Sequence, residues 1–349
     1  MKPTRRALVI GSNCFTGSHM VDALLARGDT SVVGVSRSPE YDELFLSYKK
    51  RSTANFQFME LDYVANFDDC QRLLDEFRPQ VVINVAAFSE VALSIQRPVE
   101  YFETNALAVV KLVNALKDCE WCERYVHISS AEIYGNCPNR IDETQPFNPS
   151  TPYAASKAAA DLFLSSVADK YPLPITVVRS TNVYGAHQQL FKIIPRTAIY
   201  LKQGKAIELH GGGTSVKSFI HIRDVVDGTM LAIDKKASGV FHFSTDNEWS
   251  IGKIVRHICQ KMGYDEKKFV QVVGERPGQD ARYWLDCTKA NQQLGWKPKV
   301  DFDQGVAETI RWVEDNWTEI QRHPLVYVHK TGARAAAPKP HQARSHVRA

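Results

Sequence analysis

The polar side chains between Ser129 and Lys157 have the residue types and spacing of redox chemistry at a hydroxyl. The run SSAEIYG supplies the Ser129 and Ser130 hydroxyls and the Glu132 carboxylate, and YAASK supplies Tyr153 and Lys157 at i, i+4. On a helix that spacing sets the phenol and the ammonium on one face. A cation there favours the tyrosinate, so a phenol with an ordinary pKa of roughly 10 can act as a base near neutrality. An exposed Tyr/Lys pair without a role has the same spacing, and the rest of the chain decides between the two.

The elements that must position these groups are legible. RYVHIS, directly before Ser129, is a β-branched and aromatic run of the kind found in buried parallel strands. Ser129 and Ser130 then stand at a strand's carboxyl end, where open α/β sheets bind ligands. TPYAASKAAADLFLSSVA reads as the following helix. At the start of the chain, ALVIGSNCFTGSHMVDALLARG gives a strand, a glycine turn and a helix that stops at Gly28. Gly11 and Gly17 bracket Asn13, Cys14, Phe15 and Thr16 in a turn whose amides suit a pyrophosphate. Cys14 stands where the usual middle glycine would be, and an incomplete motif of this kind also fits a plain βα turn. SVVGVSRS follows as a second strand ending on Ser36 and Arg37. A hydroxyl and a guanidinium there suit a 2′-phosphate, which favours NADP over NAD, whereas the alternative makes Arg37 a solvated surface charge. FQFMELD is the third strand, with Asp62 placed to meet an adenine amino group, and PQVVINVAA is the fourth. The amphipathic NFDDCQRLLDEF lies between them, so the chain alternates β and α as a doubly wound parallel sheet requires.

The helix expected over YFETNALAVVKLVNALKDC carries Ala106, Val109, Val110, Val113 and Leu116 as an apolar stripe, either core or dimer surface. Packing of this helix with the Ala-rich 153–166 helix predicts a homodimer, with Ala154, Ala155 and Ala158 permitting close approach. Residues 1–180 read as the dinucleotide-binding domain, with segments around 215–245 interleaving. Residues 181–325 read as a smaller C-terminal substrate lobe whose last helix is VAETIRWVEDNW, and 326–349 as a basic, disordered tail. The formal charge of +4 rests on that tail: its last twenty residues hold Lys330, Arg334, Lys339, Arg344 and Arg348 without an acid. The near-neutral body argues against nucleic acid as the main ligand. No apolar run approaches a membrane span, and the opening ALVI is too short for a signal-peptide core. The odd count of 7 cysteines forms no disulfide framework and suggests a reducing cytoplasm. Cys119 and Cys122 form a CxxC with no second pair at zinc spacing, so no metal is expected.

Taken together, GSNCFTG, NVAA, SSAEIYG, YxxxK, RSTNVYG, KIIP, GTSVKSFIHIRDVVDG and RPGQDARYWLD resemble the extended short-chain dehydrogenase/reductase family, in its branch acting on nucleotide sugars. The resemblance spans residues 5 to 316 and is strongest to the sugar-nucleotide 4,6-dehydratases. It implies a Rossmann-type fold, with Tyr153 as redox base and Lys157 holding the nicotinamide ribose and lowering the tyrosine pKa. It also implies Ser129 or Ser130 positioning the sugar, with Ser89, Asn182, Lys192, Lys217 and Arg276 around a nucleoside-diphosphate hexose. Where such dehydratases usually carry Thr-Asp-Glu or Thr-Ser-Glu, this chain has Ser130, Ala131 and Glu132. Glu132 is then the expected base for the C5 proton, and either it, Ser130 or a water delivers the proton to the departing hydroxyl. Ala131 leaves open an epimerase or a C4 oxidase, and a non-catalytic nucleotide-binding regulator is the reading from another class.

Overall fold

The computed structural model describes residues 4–274 and 282–329. The first half alternates as expected: β1 (Arg5–Ile10), α1 (Phe15–Ala26), β2 (Thr30–Ser36), β3 (Phe56–Glu60), α2 (Phe67–Phe77), β4 (Val81–Asn84), α3 (Val91–Gln96) and α4 (Pro98–Phe102). A π-helical turn at Glu103–Leu107 joins α4 to α5 (Ala108–Leu116), and β5 (Arg124–Ile128), α6 (Pro152–Val167) and β6 (Ile175–Ser180) complete this half. The second half is shorter and mixed: β7 (Asn182–Tyr184), α7 (Ile193–Lys202), β8 (Ile207–His210), β9 (Val216–His221), α8 (Ile222–Asp234), β10 (Gly239–Phe243), β11 (Glu248–Ser250) and α9 (Ile251–Lys261). It ends with α10 (Glu266–Phe269), β12 (Val270–Val273), α11 (Thr288–Leu294), α12 (Phe302–Asp315) and α13 (Trp317–Ile320).

Seven strands form one sheet in the order β10-β6-β5-β4-β1-β2-β3, and every pairing within it is parallel. The order reverses between β1 and β4, so the ligand crevice of such a sheet opens beyond their carboxyl ends. Alternation along β1 shows why these strands are apolar throughout: Ala7 and Val9 join the core under α1 and α8, and Leu8 and Ile10 join the core under α2, α5 and α6. The fold class read from the alternation of segments is therefore the one observed. The lobe has its own core, in which Ile194, Ile199, Ile254, Ile258, Val306 and Trp312 pack together.

Three details differ from the sequence reading. The chain crosses back to the sheet domain a second time after β10: Ala290, Leu294 and Trp296 join its core, Trp296 stacks 4.7 Å from Phe243, and its Nε1 donates to the Asp224 carbonyl. The π turn advances the helical phase, so Val109, Val113 and Leu116 are core while Ala106 and Val110 line an outer groove with Val99, Phe102 and Leu107. The tail boundary drawn at 326 also falls inside packed chain, because Tyr327 contacts Phe191 and His329 contacts Phe88.

Candidate active site

The turn after β1 depends on its glycines. Gly11 has φ +91°, and a Cβ there would meet the Ala86 nitrogen at 2.7 Å. A Cβ on Gly17 would meet the Gly11 carbonyl oxygen at 2.1 Å, so the strand, turn and helix close only with glycine at both places. Cys14 takes a structural part in the same turn, since its Sγ accepts the Gly17 N–H at 3.2 Å and caps α1. Burial pushes its thiol up to about 11, so the cap is uncharged. Asn13 is engaged inside the protein: its amide group donates to the Pro39 carbonyl at 2.8 Å and accepts from the Tyr41 N–H, and its own N–H donates to Ser36 Oγ at 3.0 Å. The Phe15 ring is buried in the core below the turn. Thr16 is half-buried at the helix start. Asp62 caps the next turn, accepting from the Val64 and Ala65 N–H groups. The Arg37 guanidinium stacks 4.0 Å from the Phe88 ring centre.

The chemical groups converge at the carboxyl end of β5. Ser129 is tied by its N–H to the Val178 carbonyl, and among the described residues its buried Oγ has no hydrogen-bond partner. Ser130 Oγ accepts the Glu132 N–H at 3.2 Å, opening the short helical turn Ala131–Tyr134, and its hydroxyl stands near enough to the Tyr153 phenol to ease its ionisation. Thr151 caps α6 by accepting the Ala154 N–H, and Pro152 occupies the first turn, so Tyr153 enters the site from a fixed helix start. Tyr153, Ser130 and the half-buried Glu132 therefore form one cluster.

The electrostatics of this cluster correct one expectation. Burial, then the neighbouring Glu132 carboxylate, push the Tyr153 phenol above its ordinary range. The Lys157 ammonium is turned instead to β5, donating to the Ile128 carbonyl at 2.7 Å and lying 3.2 Å from His127 Nε2. Burial lowers its pKa to about 8. The strand-end Ile128 carbonyl and the His127 ring thus engage the buried amine.

Several positioning residues escape a reading by motif. Asn105, in the π turn, accepts the Phe88 N–H at 2.9 Å and donates to both the Phe88 carbonyl and Ser156 Oγ. It thereby ties the end of β4 to the helix that carries Tyr153. Its signal in the sequence is a lone amide inside an apolar stripe. Phe88 and Tyr101 then pack beside Tyr153. Behind the site, the fully buried pair Arg179 and Asp161, 2.8 Å apart, braces β6 against α6, and Arg179 also contacts the Tyr134 hydroxyl.

The residues assigned to the sugar nucleotide are spread more widely. Ser89 is exposed beside Phe88. Asn182, on β7, donates to the Ser218 carbonyl at 3.3 Å, and its neighbour Lys217 lies over the Tyr283 ring. Lys192 precedes α7 with its ammonium over the Phe191 ring. Arg276 lies outside the described residues. A cavity of about 430 Å³ lined by His19, Lys50, His187, His221 and Arg223 contains none of the assigned residues. Among the described residues, Asp42, Glu319 and His323 bring ligand-type atoms within 4.8 Å of one another. Two of them are already engaged, Asp42 with the Leu44 N–H and Glu319 with Arg322, which makes this an ion-pair cluster. Among the described residues, no helix is long and apolar enough to cross a membrane.

Known proteins agree with this geometry. The dTDP-D-glucose 4,6-dehydratase of Mus musculus is 29% identical over 321 residues, covering 90% of each chain. That of Haemophilus influenzae is 26% identical, covering 87% of this chain and 96% of its own. Among solved structures, the dTDP-glucose 4,6-dehydratase DesIV of Streptomyces venezuelae, with NAD and TYD bound, superposes with a TM-score of 0.83 at 29% identity, covering 90% of this chain and 98% of that one. A UDP-glucose 4-epimerase of Thermus thermophilus in complex with NAD gives 0.80 at 29% identity, covering 88% of this chain and 99% of that one. The model of the family described as GDP-mannose 4,6 dehydratase matches residues 8–309. With most of its length inside that match, the chain belongs to the GDP-mannose 4,6 dehydratase family, among the extended short-chain dehydrogenases/reductases.

Proposed function

We propose that the protein is a nucleoside-diphosphate-sugar 4,6-dehydratase that uses a nicotinamide dinucleotide, with NADP preferred over NAD. The observation that carries this reading is the single cluster of Ser130, Glu132 and Tyr153 at the end of β5, with Lys157 one turn along α6. A dinucleotide fits the site on two counts: the turn between β1 and α1 has glycine where no Cβ fits, which keeps its backbone bare beside the N-terminus of α1, and among the described residues the buried Ser129 Oγ at the strand end has no hydrogen-bond partner. The turn after β1 and Lys157 would hold the dinucleotide, which would supply the hydride acceptor for C4 of the hexose and the hydride donor for C6.

The chain's own residues handle the protons. Tyr153, beside Ser130, would take the C4 hydroxyl proton as tyrosinate while C4 gives up its hydride, leaving a ketone that acidifies the C5 hydrogen; the positive charge of an oxidised nicotinamide would offset the burial and the Glu132 carboxylate that raise the phenol in the free protein. Glu132 then removes the C5 proton, the C6 hydroxyl leaves with a proton as water, and a proton returns to C5. Glu132 and Tyr153 act in sequence, so the carboxylate that opposes phenol ionisation in the free site has a separate step of its own. Lys157 holds the ribose once the dinucleotide competes for its ammonium. Asn182, Lys192, Lys217 and Arg276 supply amide and cationic donors for the diphosphate. Ser36 and Arg37 at the end of β2 support the 2′-phosphate preference. The domain division at 180, a homodimer through the α4–α6 face and a cytoplasmic location complete the proposal.

A second reading is favoured by Ala131, whose buried methyl offers no proton where the dehydratases this chain resembles usually carry Asp or Ser: the reaction then stops at the ketone or epimerises. The deciding experiment incubates the purified protein with a panel of nucleoside-diphosphate hexoses and follows the mass of the sugar. Loss of water from one of them supports the dehydratase. A change of configuration or oxidation without loss of water overturns it.

A further inference from the structure

We propose that the C-terminal segment Tyr327–His329 is a strap that closes the dinucleotide cleft over Phe88 and Arg37 and sets how slowly the dinucleotide leaves. The inference rests on the reading that this chain binds a nicotinamide dinucleotide. Among the described residues beyond α13, the segment 321–329 adopts no regular element, yet it runs back to the carboxyl edge of the sheet. Its residues alternate as an extended strand does: Val326 and Val328 are 66% and 55% exposed, while Tyr327 and His329 turn inward.

The inward pair bridges the two parts of the molecule. The His329 ring lies 4.7 Å from Phe88 at 30°, and its Nε2 is 3.1 Å from Glu100 Oε2, at the end of the sheet domain that carries α4. The Tyr327 hydroxyl is 3.1 Å from His329 Nδ1, and the Tyr327 ring meets Phe191 edge-on at 5.5 Å, on the lobe side. Tyr327 is also close enough to Arg37 to act on its charge.

What the strap covers gives it a role. Phe88 contacts Arg37 and His329, is gripped at its backbone by Asn105, and packs with Tyr101 and Tyr153. Arg37 and Phe88 stand past the carboxyl ends of β2 and β4, on the edge of the sheet where a dinucleotide lies in this fold. A segment fastened across both by side chains must lift for a bound dinucleotide to escape. Among the described residues its fastenings are ring contacts and the His329–Glu100 pair, which can part without breaking a sheet or a helix. His329 acts here as a positioning residue through Phe88.

The test uses full-length protein, a chain ending at Leu325, and the variants His329→Ala, Tyr327→Ala and His329→Phe. NADP and NAD dissociation is followed by stopped-flow competition, and amide hydrogen exchange of dinucleotide-free protein is followed over residues 36–41 and 86–91. The expected result is faster dissociation by about tenfold in the truncated chain and both alanine variants, since such contacts act mainly on the off-rate. Exchange over the two segments should rise in the same proteins. His329→Phe, which keeps the ring stack, should recover most of the slow release. Unchanged dissociation, or unchanged exchange, in the alanine variants overturns the strap while leaving the dehydratase reading intact. A wild-type protein that binds neither dinucleotide overturns that reading and the strap with it.

Discussion

Lys157 and His127 face each other across the gap between α6 and β5, with Nζ 3.2 Å from Nε2. Burial, then the nearby ammonium, hold the imidazole well below its ordinary pKa, so His127 stays neutral and can accept a hydrogen bond from the amine. The contact places a titrating lysine at the back of the site, and its consequences can be measured.

The first prediction concerns pH and stability. The folded pKa of Lys157 is about 8, below the unfolded value of about 10.4, so the unfolded chain binds more protons between those values. Below pH 8 both states are protonated and the folded state carries the full cost of the buried charge. As pH rises through the window that cost is relieved, so wild-type stability relative to Lys157→Met should increase by about 1.4 kcal/mol per pH unit. Urea unfolding of both proteins from pH 7 to pH 10 tests this, and a flat difference contradicts it.

Glu132 and Tyr153 should separate in their effects. Glu132→Gln keeps the side chain's shape and removes one proton transfer, a loss of about 10² to 10⁴ in dehydration. The variant should still oxidise the sugar, accumulating reduced nicotinamide absorbance and a 4-keto sugar without C5 exchange in deuterated water. Tyr153→Phe should show no reduced nicotinamide. If oxidation and dehydration fall in parallel in Glu132→Gln, the carboxylate serves binding and leaves the list of catalytic groups.

Cofactor choice is tested at Arg37. Its guanidinium rests on Phe88 at the end of β2, so Arg37→Ala should weaken NADP binding by about tenfold or more and leave NAD nearly unchanged. Calorimetry on dinucleotide-free protein decides the point. Tighter NAD than NADP binding in the wild type would sink the preference.

The outer face of the α4–α6 layer should hold two subunits together. Val99, Phe102 and Leu107 are large exposed apolar side chains around a groove of about 540 Å³ that Ala106, Val110 and Ala159 also line, and Leu162 is exposed on α6. Ala154 and Ala158 are buried within the subunit, so the small residues available for close helix approach are Ala155 and Ala159, a shift from the positions expected from sequence. Leu107→Glu places a charge in this face and should convert a dimer to a monomer in light scattering at micromolar concentration. A monomeric wild type under the same conditions rules the interface out.

The sequence by itself determined the alternation of strands and helices, because period-2 and period-3.6 burial patterns and glycine turns are local properties of the chain. It also named Gly11 and Gly17, whose necessity the backbone contacts explain, and the Ser130, Glu132, Tyr153 and Lys157 set, which sits within one βα unit. Tertiary structure alone decided which partners those groups have. Lys157 turns to β5, where the Ile128 carbonyl and the His127 ring from another element engage its ammonium. Asn105 clamps Phe88 because a π turn rotates it inward, a phase change that helical spacing does not encode. The return of Trp296 to the sheet domain and of Tyr327 and His329 to the cleft joins residues far apart in the chain. Such contacts form only when the whole chain has packed, so no local pattern announces them.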